Sequence, residues 1–198
     1  MPRSPLRIYR GLRRRMGPQA RDVVVDRIKD GSVGVEVGVW KGDFAARALK
    51  RANPAKISLV DPWFAFEQED DVKGWHGNAA QADMDAIHDK VLRRFAAPIA
   101  SGKVEVLRVG SLEAVDRFAD SSLDWIYIDA DHRYEGCRDD LAAWLPKLKV
   151  GGLLCGDDYG RKGWWDDGVT KAVAECIKNS PVHVVAIWRT QFVLRREA

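Results

Sequence analysis

Short runs of aliphatic and β-branched residues alternate with segments of helical periodicity along most of the chain. The runs predict seven strands, at residues 32–37, 56–60, 104–109, 123–128, 153–156, 182–187 and 191–195. Between them, apolar residues recur at helical spacing, most regularly over residues 84–95. This alternation is typical of βαβ units, and the last two strands are close enough to pair as a hairpin. The sequence therefore predicts an α/β fold: a doubly wound, mostly parallel seven-stranded sheet with an antiparallel C-terminal hairpin.

The length of 198 residues suits one domain, which we place at residues 18–198. Residues 1–17 form a basic N-terminal arm with six arginines in the first fifteen residues. Two interpretations of the arm stay open: a solvated terminal segment, or a segment that contacts an anionic partner. Residues 62–81 lack periodicity and are rich in aromatic residues, which is typical of a functional or mobile loop.

Charge and cysteine content narrow the class of protein. The net charge of +3 is too small to indicate a nucleic-acid-binding protein, and no apolar run is long enough to span a membrane. The three cysteines lack CxxC or metal-finger spacing and lie at apolar positions, which predicts free thiols in a reducing compartment. No apolar segment of a secretory signal follows the basic N-terminus. We therefore expect a cytoplasmic protein.

Glycines and carboxylates lie at the ends of five consecutive predicted strands. In chain order they are Glu36, Gly38 and Gly42; Asp61; Gly110 and Ser111; Asp129, Asp131 and the adjacent His132; and Asp157 with Asp158. Because the carboxyl ends of parallel strands meet at one edge of a sheet, we expect these residues to lie close together. Clustered carboxylates are costly unless cations or donors compensate them, so the pattern favours a ligand site. Helix capping is the alternative, and it suits Asp43 and Ser111, each just before a helix.

The turn after the first strand has the spacing ExGxxxG, which differs from the GxGxxG of dinucleotide sites, and the chain has neither a Walker A pattern nor GxSxG. The stretches VGVEVGVWKGDFA, ISLVDPW, LDWIYIDADHRYEGCRDDLAAWLPKLKVGGLLCGDDYG and GVTKAVAE resemble class I S-adenosylmethionine-dependent methyltransferases. The resemblance covers residues 31–195. It is closest to the small O-methyltransferases that include macrolide-sugar enzymes, and more distant to catechol and caffeoyl-CoA O-methyltransferases.

The resemblance implies S-adenosylmethionine as cofactor and assigns residues to it. The glycine loop, with Glu36, Gly38 and Gly42, would approach the methionine part of the cofactor. Asp61 would accept hydrogen bonds from the ribose hydroxyls. Gly110 and Ser111 would touch the adenine, and Asp129 would also lie at the cofactor.

The resemblance also implies a divalent metal and a general base. Asp129, Asp157 and Asp158 match the ligand positions of the metal-dependent enzymes, and such oxygen ligands suit Mg²⁺. Asp158 stands where the catechol-type enzymes carry asparagine, and the alternative is that Asp157 and Asp158 only bond loop amides. His132 stands where those enzymes carry a lysine base, and histidine titrates near neutrality. Asp131, the residue before it, is the second candidate catalytic residue. The alternative for His132 is a structural histidine.

These features predict a methyltransferase that acts on a hydroxyl of a small-molecule acceptor, a sugar or a phenolic natural product, with metal assistance. Residues 62–81 and 159–165 would form the lid or acceptor wall. A homo-oligomer is compatible with the sequence. Two rival interpretations are a non-catalytic binding protein and a nucleic-acid methyltransferase recruited by the arginine arm. The retained cofactor motifs argue against the first, and the small net charge and the absence of an NPPY-type motif argue against the second.

Overall fold

The computed structural model describes residues 19–65 and 80–198. The basic arm at residues 1–17 and most of the predicted lid at residues 62–81 lie outside the described residues. The elements in chain order are α1 (Asp22–Val25), β1 (Val33–Val37), α2 (Asp43–Arg51), β2 (Lys56–Val60), α3 (Gln81–Arg94), α4 (Ala96–Ala100), β3 (Val104–Leu107), α5 (Ser111–Val115), β4 (Leu123–Ile128), α6 (Tyr134–Trp144), a 3₁₀ turn (Leu145–Lys147), β5 (Leu148–Gly156), α7 (Gly168–Asn179), β6 (Val182–Trp188) and β7 (Gln191–Arg196).

The strands form one seven-stranded sheet in the order β3-β2-β1-β4-β5-β7-β6. The first five strands are parallel to one another, whereas β7 pairs antiparallel with both β5 and β6. The predicted fold class is therefore confirmed, including the antiparallel hairpin. Strand order reverses between β1 and β4, which places the switch point of the doubly wound sheet at the ends of these two strands.

Helices cover both faces of the sheet, and β4 shows how alternate residues divide between them. Trp125 and Tyr127 pack on the face that α1, α2 and α3 cover, where Phe44 stacks on Tyr127. Ile126 and Ile128 pack on the opposite face, under α6 and α7. Because both faces are buried, the strand is almost continuously apolar. The three cysteines are free and buried, in agreement with the sequence.

The fifth strand is longer than the sequence predicts. It begins at Leu148, which pairs with Leu123, and the register then shifts so that Trp125 pairs with Leu153. The glycine pair 151–152, which looks like a turn in the sequence, therefore forms a bulge inside the strand. None of the described helices is long and apolar enough to cross a lipid bilayer.

Candidate active site

The chain segments that follow β1, β2, β4 and β5 lie side by side at the carboxyl edge of the sheet. Each is joined to the end of a neighbouring strand by a hydrogen bond from its first backbone N–H. These bonds run from Gly38 to Val60 (2.9 Å), from Asp61 to Leu107 (3.2 Å), from Asp129 to Val37 (2.8 Å) and from Asp157 to Ile128 (3.4 Å). The structure thus brings the predicted glycine loop and the predicted acids to one edge, as parallel pairing requires.

Gly38 allows the first turn to lie directly on the turn after β4. Its φ is +86°, and a Cβ atom there would lie 2.1 Å from the carbonyl oxygen of Asp129. A side chain at Gly42, the residue before α2, would similarly meet the ring of Phe95 at 2.6 Å. The glycine loop is therefore fixed by close packing at Gly38 and Gly42, where a side chain would not fit.

Asp61 holds the glycine loop by its carboxylate. Oδ2 accepts hydrogen bonds from the backbone N–H groups of Val39 and Trp40, both at 2.9 Å, and Oδ1 accepts one from Trp63 at 2.7 Å. The indole of Trp63 is buried and donates to the carbonyl of Trp40 at 2.9 Å. Trp63, which the sequence places in the lid segment, is thus an anchor of the glycine loop.

Glu36 is a buried acid in the middle of this edge. It is 2% exposed, and burial raises the pKa of its carboxyl well above the usual range. It accepts a hydrogen bond from the backbone N–H of Ala45 in the first turn of α2. Its Oε2 has no hydrogen-bond partner among the described residues. A buried oxygen in this state needs a polar ligand group or a water molecule to satisfy it.

Gly110 and Ser111 begin α5, and the hydroxyl of Ser111 is already engaged. It donates to the carboxylate of Asp140 and accepts a hydrogen bond from the indole of Trp144 at 2.9 Å. Gly110 has open space around its Cα. The Ser111 side chain is therefore used in hydrogen bonds to α6, whereas Gly110, which has no side chain, leaves space at the edge of the sheet.

Replacing Asp140 with asparagine is expected to stabilise the protein, by up to about 3 kcal/mol at pH 8 and by little at pH 4. Burial raises the pKa of Asp140 to about 6 from 3.8. The native state therefore binds a proton that the unfolded state has lost, and native stability falls as the pH rises from about 4 to about 6. Asparagine removes this penalty and can still accept the bond from Ser111. Urea unfolding at both pH values checks the result.

Asp139→Asn is the matched control, because its exposed carboxylate pairs with Arg138 on the helix surface. We expect this variant to change stability by less than about 0.5 kcal/mol at either pH. Equal effects of the two substitutions would contradict the assignment of the penalty to burial.

His132 lies between two carboxylates at the ends of β4 and β5. Its Nε2 is 3.4 Å from Asp129 Oδ1 and 3.1 Å from Asp158 Oδ2, and the imidazole is 5% exposed. Burial lowers the pKa of His132, but the hydrogen bond and charge of Asp129 and the charge of Asp158 outweigh it and raise the pKa. The ring of Trp165 lies against the imidazole, with 4.8 Å between the ring centroids.

The acids near His132 have different partners. Asp158 has a left-handed backbone (φ +59°), lies with its carboxylate at His132, and also accepts a bond from Arg161 at 3.1 Å. Asp157 instead accepts hydrogen bonds through Oδ1 from the backbone N–H of Asp158 (2.8 Å) and from the hydroxyl of Thr190. The predicted catalytic partner Asp131 has its carboxylate paired with Arg133, to both the backbone N–H and the guanidinium.

Arg21, which the sequence analysis missed, reaches into this acidic edge from the segment before α1. Its Nη2 donates to Asp129 Oδ2 at 2.7 Å, and its Nε donates to Asp157 Oδ2 at 3.4 Å. The guanidinium carbon lies 6.0 Å from the centroid of the Tyr127 ring. Arg21 therefore provides much of the positive charge that the clustered carboxylates require.

The three predicted magnesium ligands lie at this edge, but protein groups already engage their carboxylate oxygens. Asp157 is engaged by Arg21 and Thr190. The one described group of ligand atoms within 4.8 Å of one another belongs to Asp129, His132 and Asp158, and there the imidazole bonds the carboxylates. Magnesium prefers oxygen ligands and several waters. Magnesium binding by Asp129, Asp157 and Asp158 stays a prediction from the sequence.

Comparison with known proteins identifies the family. A family model described as a methyltransferase domain matches residues 35–159. No curated protein matches the sequence. Among solved structures, the chain is similar to a SAM-dependent O-methyltransferase from Thermotoga maritima (TM-score 0.60, 10% identity, 91% of this chain and 66% of that chain). It is also similar to an rRNA methylase from Streptococcus thermophilus (TM-score 0.59, 13% identity, 100% and 99%).

A third similar structure is a geranyl diphosphate methyltransferase in complex with S-adenosylmethionine (TM-score 0.58, 14% identity, 84% of this chain and 65% of that chain). At these identities the three structures support the fold alone. The family model, in contrast, spans more than half of the chain and includes the glycine loop, Asp61, His132 and both acids after β5. The chain thus belongs to the methyltransferase-domain family, and its class of activity is S-adenosylmethionine-dependent methyl transfer.

Proposed function

We propose that the chain methylates a hydroxyl oxygen of a small-molecule acceptor, a sugar or a phenol. The observation that carries the proposal is the position of His132 Nε2, 3.4 Å from Asp129 and 3.1 Å from Asp158, at the edge that also holds Asp61. A neutral hydroxyl is a weak nucleophile and needs a base to take its proton. A histidine held between two carboxylates suits this task.

The cofactor side of the edge fits S-adenosylmethionine. Oε2 of Glu36, which has no partner in the described part of the chain, can accept a hydrogen bond from a polar group of the cofactor. Gly38 and Gly42 bring the backbone of the first turn close to the same edge. Asp61 keeps acceptor capacity beyond its three amide bonds, which suits ribose hydroxyls. Gly110 would lie beside the adenine. When bound, the cofactor supplies a methyl group on a positively charged sulfur, which an acidic edge attracts.

His132 would accept the proton of the acceptor hydroxyl on the ring nitrogen that does not face the carboxylates, because Nε2 must carry its own proton to bond Asp129 and Asp158. Asp129 and Asp158 would stabilise the imidazolium that forms, in the manner of an acid that orients a catalytic histidine. Because these carboxylates raise the pKa of His132, the neutral, base-competent form grows as the pH rises through that pKa. Turnover is therefore expected to increase with pH on this limb.

Two tryptophans next to His132 would form another part of the acceptor wall. Trp165 covers His132 with its ring, and Trp164 beside it is 41% exposed. Aromatic faces of this kind pack well against a sugar or a phenol ring. Holding acceptor and cofactor in line would supply most of the rate acceleration, on the order of 7–11 kcal/mol in the best cases.

The test compares the wild-type protein with His132→Ala in a panel of catechols, deoxysugar nucleotides and an rRNA fragment. We expect wild type to release S-adenosylhomocysteine with a catechol or a sugar, and mass spectrometry to place the methyl group on oxygen. His132→Ala should lose about 10²- to 10⁴-fold in turnover and keep its affinity for S-adenosylmethionine in calorimetry. The control is His183→Ala, because that exposed histidine lies on β6 beside Glu197.

Two results would refute the proposal. One is methylation of the rRNA fragment with no small-molecule product. The other is undiminished turnover of His132→Ala on the acceptor that wild type uses.

A further inference from the structure

Arg21 is held in the acidic edge by the packing of the segment that carries it. Asp22, the next residue, pairs with Arg47 at 2.6 Å and with Arg51 at 2.7 Å, both on α2. Val24 and Val25 of α1 are buried in the core. The backbone of Arg21 is thus fixed against the sheet domain.

The contacts of Arg21 use oxygens that a metal ion would need. Asp157 Oδ2 binds Arg21, and its Oδ1 already accepts two hydrogen bonds. Asp129 Oδ2 binds Arg21, and its Oδ1 faces His132. Arginine is protonated at every accessible pH. A divalent ion bound to Asp129 and Asp157 would have to displace the guanidinium of Arg21 or lie within a few ångströms of its positive charge. The repulsion between two positive charges so close together is strongly unfavourable.

We propose that Arg21 is a positioning residue that takes the place of a divalent metal ion. It orients Asp129 toward His132, orients Asp157 toward Thr190, and supplies the positive charge that the carboxylates need. Methyl transfer by this chain consequently requires no metal. The consequence for turnover rests on the proposed function, whereas the exclusion of divalent ions by Arg21 is independent of any acceptor.

The exclusion is tested by titrating the full chain with Mn²⁺ and following the paramagnetic resonance signal of the free ion. Mn²⁺ suits carboxylate and imidazole ligands, so it would report a vacated site. We expect Arg21→Gln to bind one Mn²⁺ at least about tenfold more tightly than wild type does, because a fixed like charge has been removed. Arg21→Lys keeps the charge and should bind Mn²⁺ as weakly as wild type.

The matched control is Arg27→Gln, which removes the same charge from an exposed arginine bonded only to a backbone carbonyl of α1 among the described contacts. It should bind Mn²⁺ like wild type. Tight Mn²⁺ binding by wild type overturns the proposal even if Arg21→Gln does not fold, and so does tight binding by Arg21→Lys.

Turnover of wild type should be unchanged in excess EDTA. A parallel S-adenosylmethionine titration separates the outcomes, since its failure would refute the proposed function and leave the Mn²⁺ result standing.

Discussion

Gly38→Ala is expected to abolish measurable S-adenosylmethionine binding and to lower the free energy of unfolding by about 3 kcal/mol or more. The new Cβ would lie 2.1 Å from the carbonyl oxygen and 2.4 Å from the carbonyl carbon of Asp129. Both are backbone atoms, so no side chain can rotate away. Relief requires the turn after β4 to move, which would break the 2.8 Å bond from the Asp129 N–H to Val37. Calorimetric titration and urea unfolding measure the two effects.

Gly31→Ala is the control that measures the cost of a left-handed backbone without a close contact to another part of the chain. Gly31 has φ +68°, yet a Cβ there meets no atom within 4 Å. We expect it to cost about 1–2 kcal/mol and to leave cofactor affinity unchanged. If Gly38→Ala and Gly31→Ala behaved alike, the packing of the glycine loop on Asp129 would not be what fixes the site.

The meeting of the glycine loop with Asp61 and Asp129 could be predicted from the sequence, because parallel pairing imposes it. The residues follow short, β-branched apolar runs that are typical of buried strands, and the ends of parallel strands share one edge. The elements of the sheet follow from the same pattern. The bulge at residues 151–152 does not, since the register of β5 depends on its pairing with β4.

The partners of the acids at this edge could not be predicted, because they depend on backbone angles and distant contacts. Asp157 and Asp158 are adjacent and chemically identical. Their side chains nevertheless have different partners: Asp158, which has a left-handed backbone (φ +59°), contacts His132, whereas Asp157 accepts a hydrogen bond from Thr190. In the sequence the two adjacent aspartates therefore look like a pair of metal ligands, with His132 apart from them.

Arg21 was missed for a related reason. Its carboxylate partners Asp129 and Asp157 lie 108 and 136 residues away along the chain, and no local motif marks it. In the sequence it is one polar residue at the start of a short amphipathic segment. Only the packing of α1 on the sheet brings that segment to the ends of β4 and β5, so its role is a tertiary property.

Asp61→Asn is expected to weaken S-adenosylmethionine binding by about 10²- to 10³-fold, since hydrogen bonds to a charged acceptor are each worth about 1.5–3 kcal/mol. The carboxylate of Asp61 faces three backbone donors, those of Val39, Trp40 and Trp63. An asparagine must turn its NH₂ group toward at least one of them. It also offers fewer acceptor sites to the proposed ribose hydroxyls. Asp43→Asn is the matched control, because that exposed acid at the start of α2 pairs with Arg94.

A thermodynamic cycle distinguishes the ribose contact from damage to the loop. S-adenosylhomocysteine and its 2′-deoxy analogue are titrated into wild type and Asp61→Asn. If Asp61 binds the ribose, removal of the 2′-hydroxyl weakens binding to wild type by about tenfold or more and weakens binding to the variant much less, because the two changes remove the same interaction. Additive losses would instead place the ribose elsewhere and leave Asp61 as the residue that shapes the glycine loop.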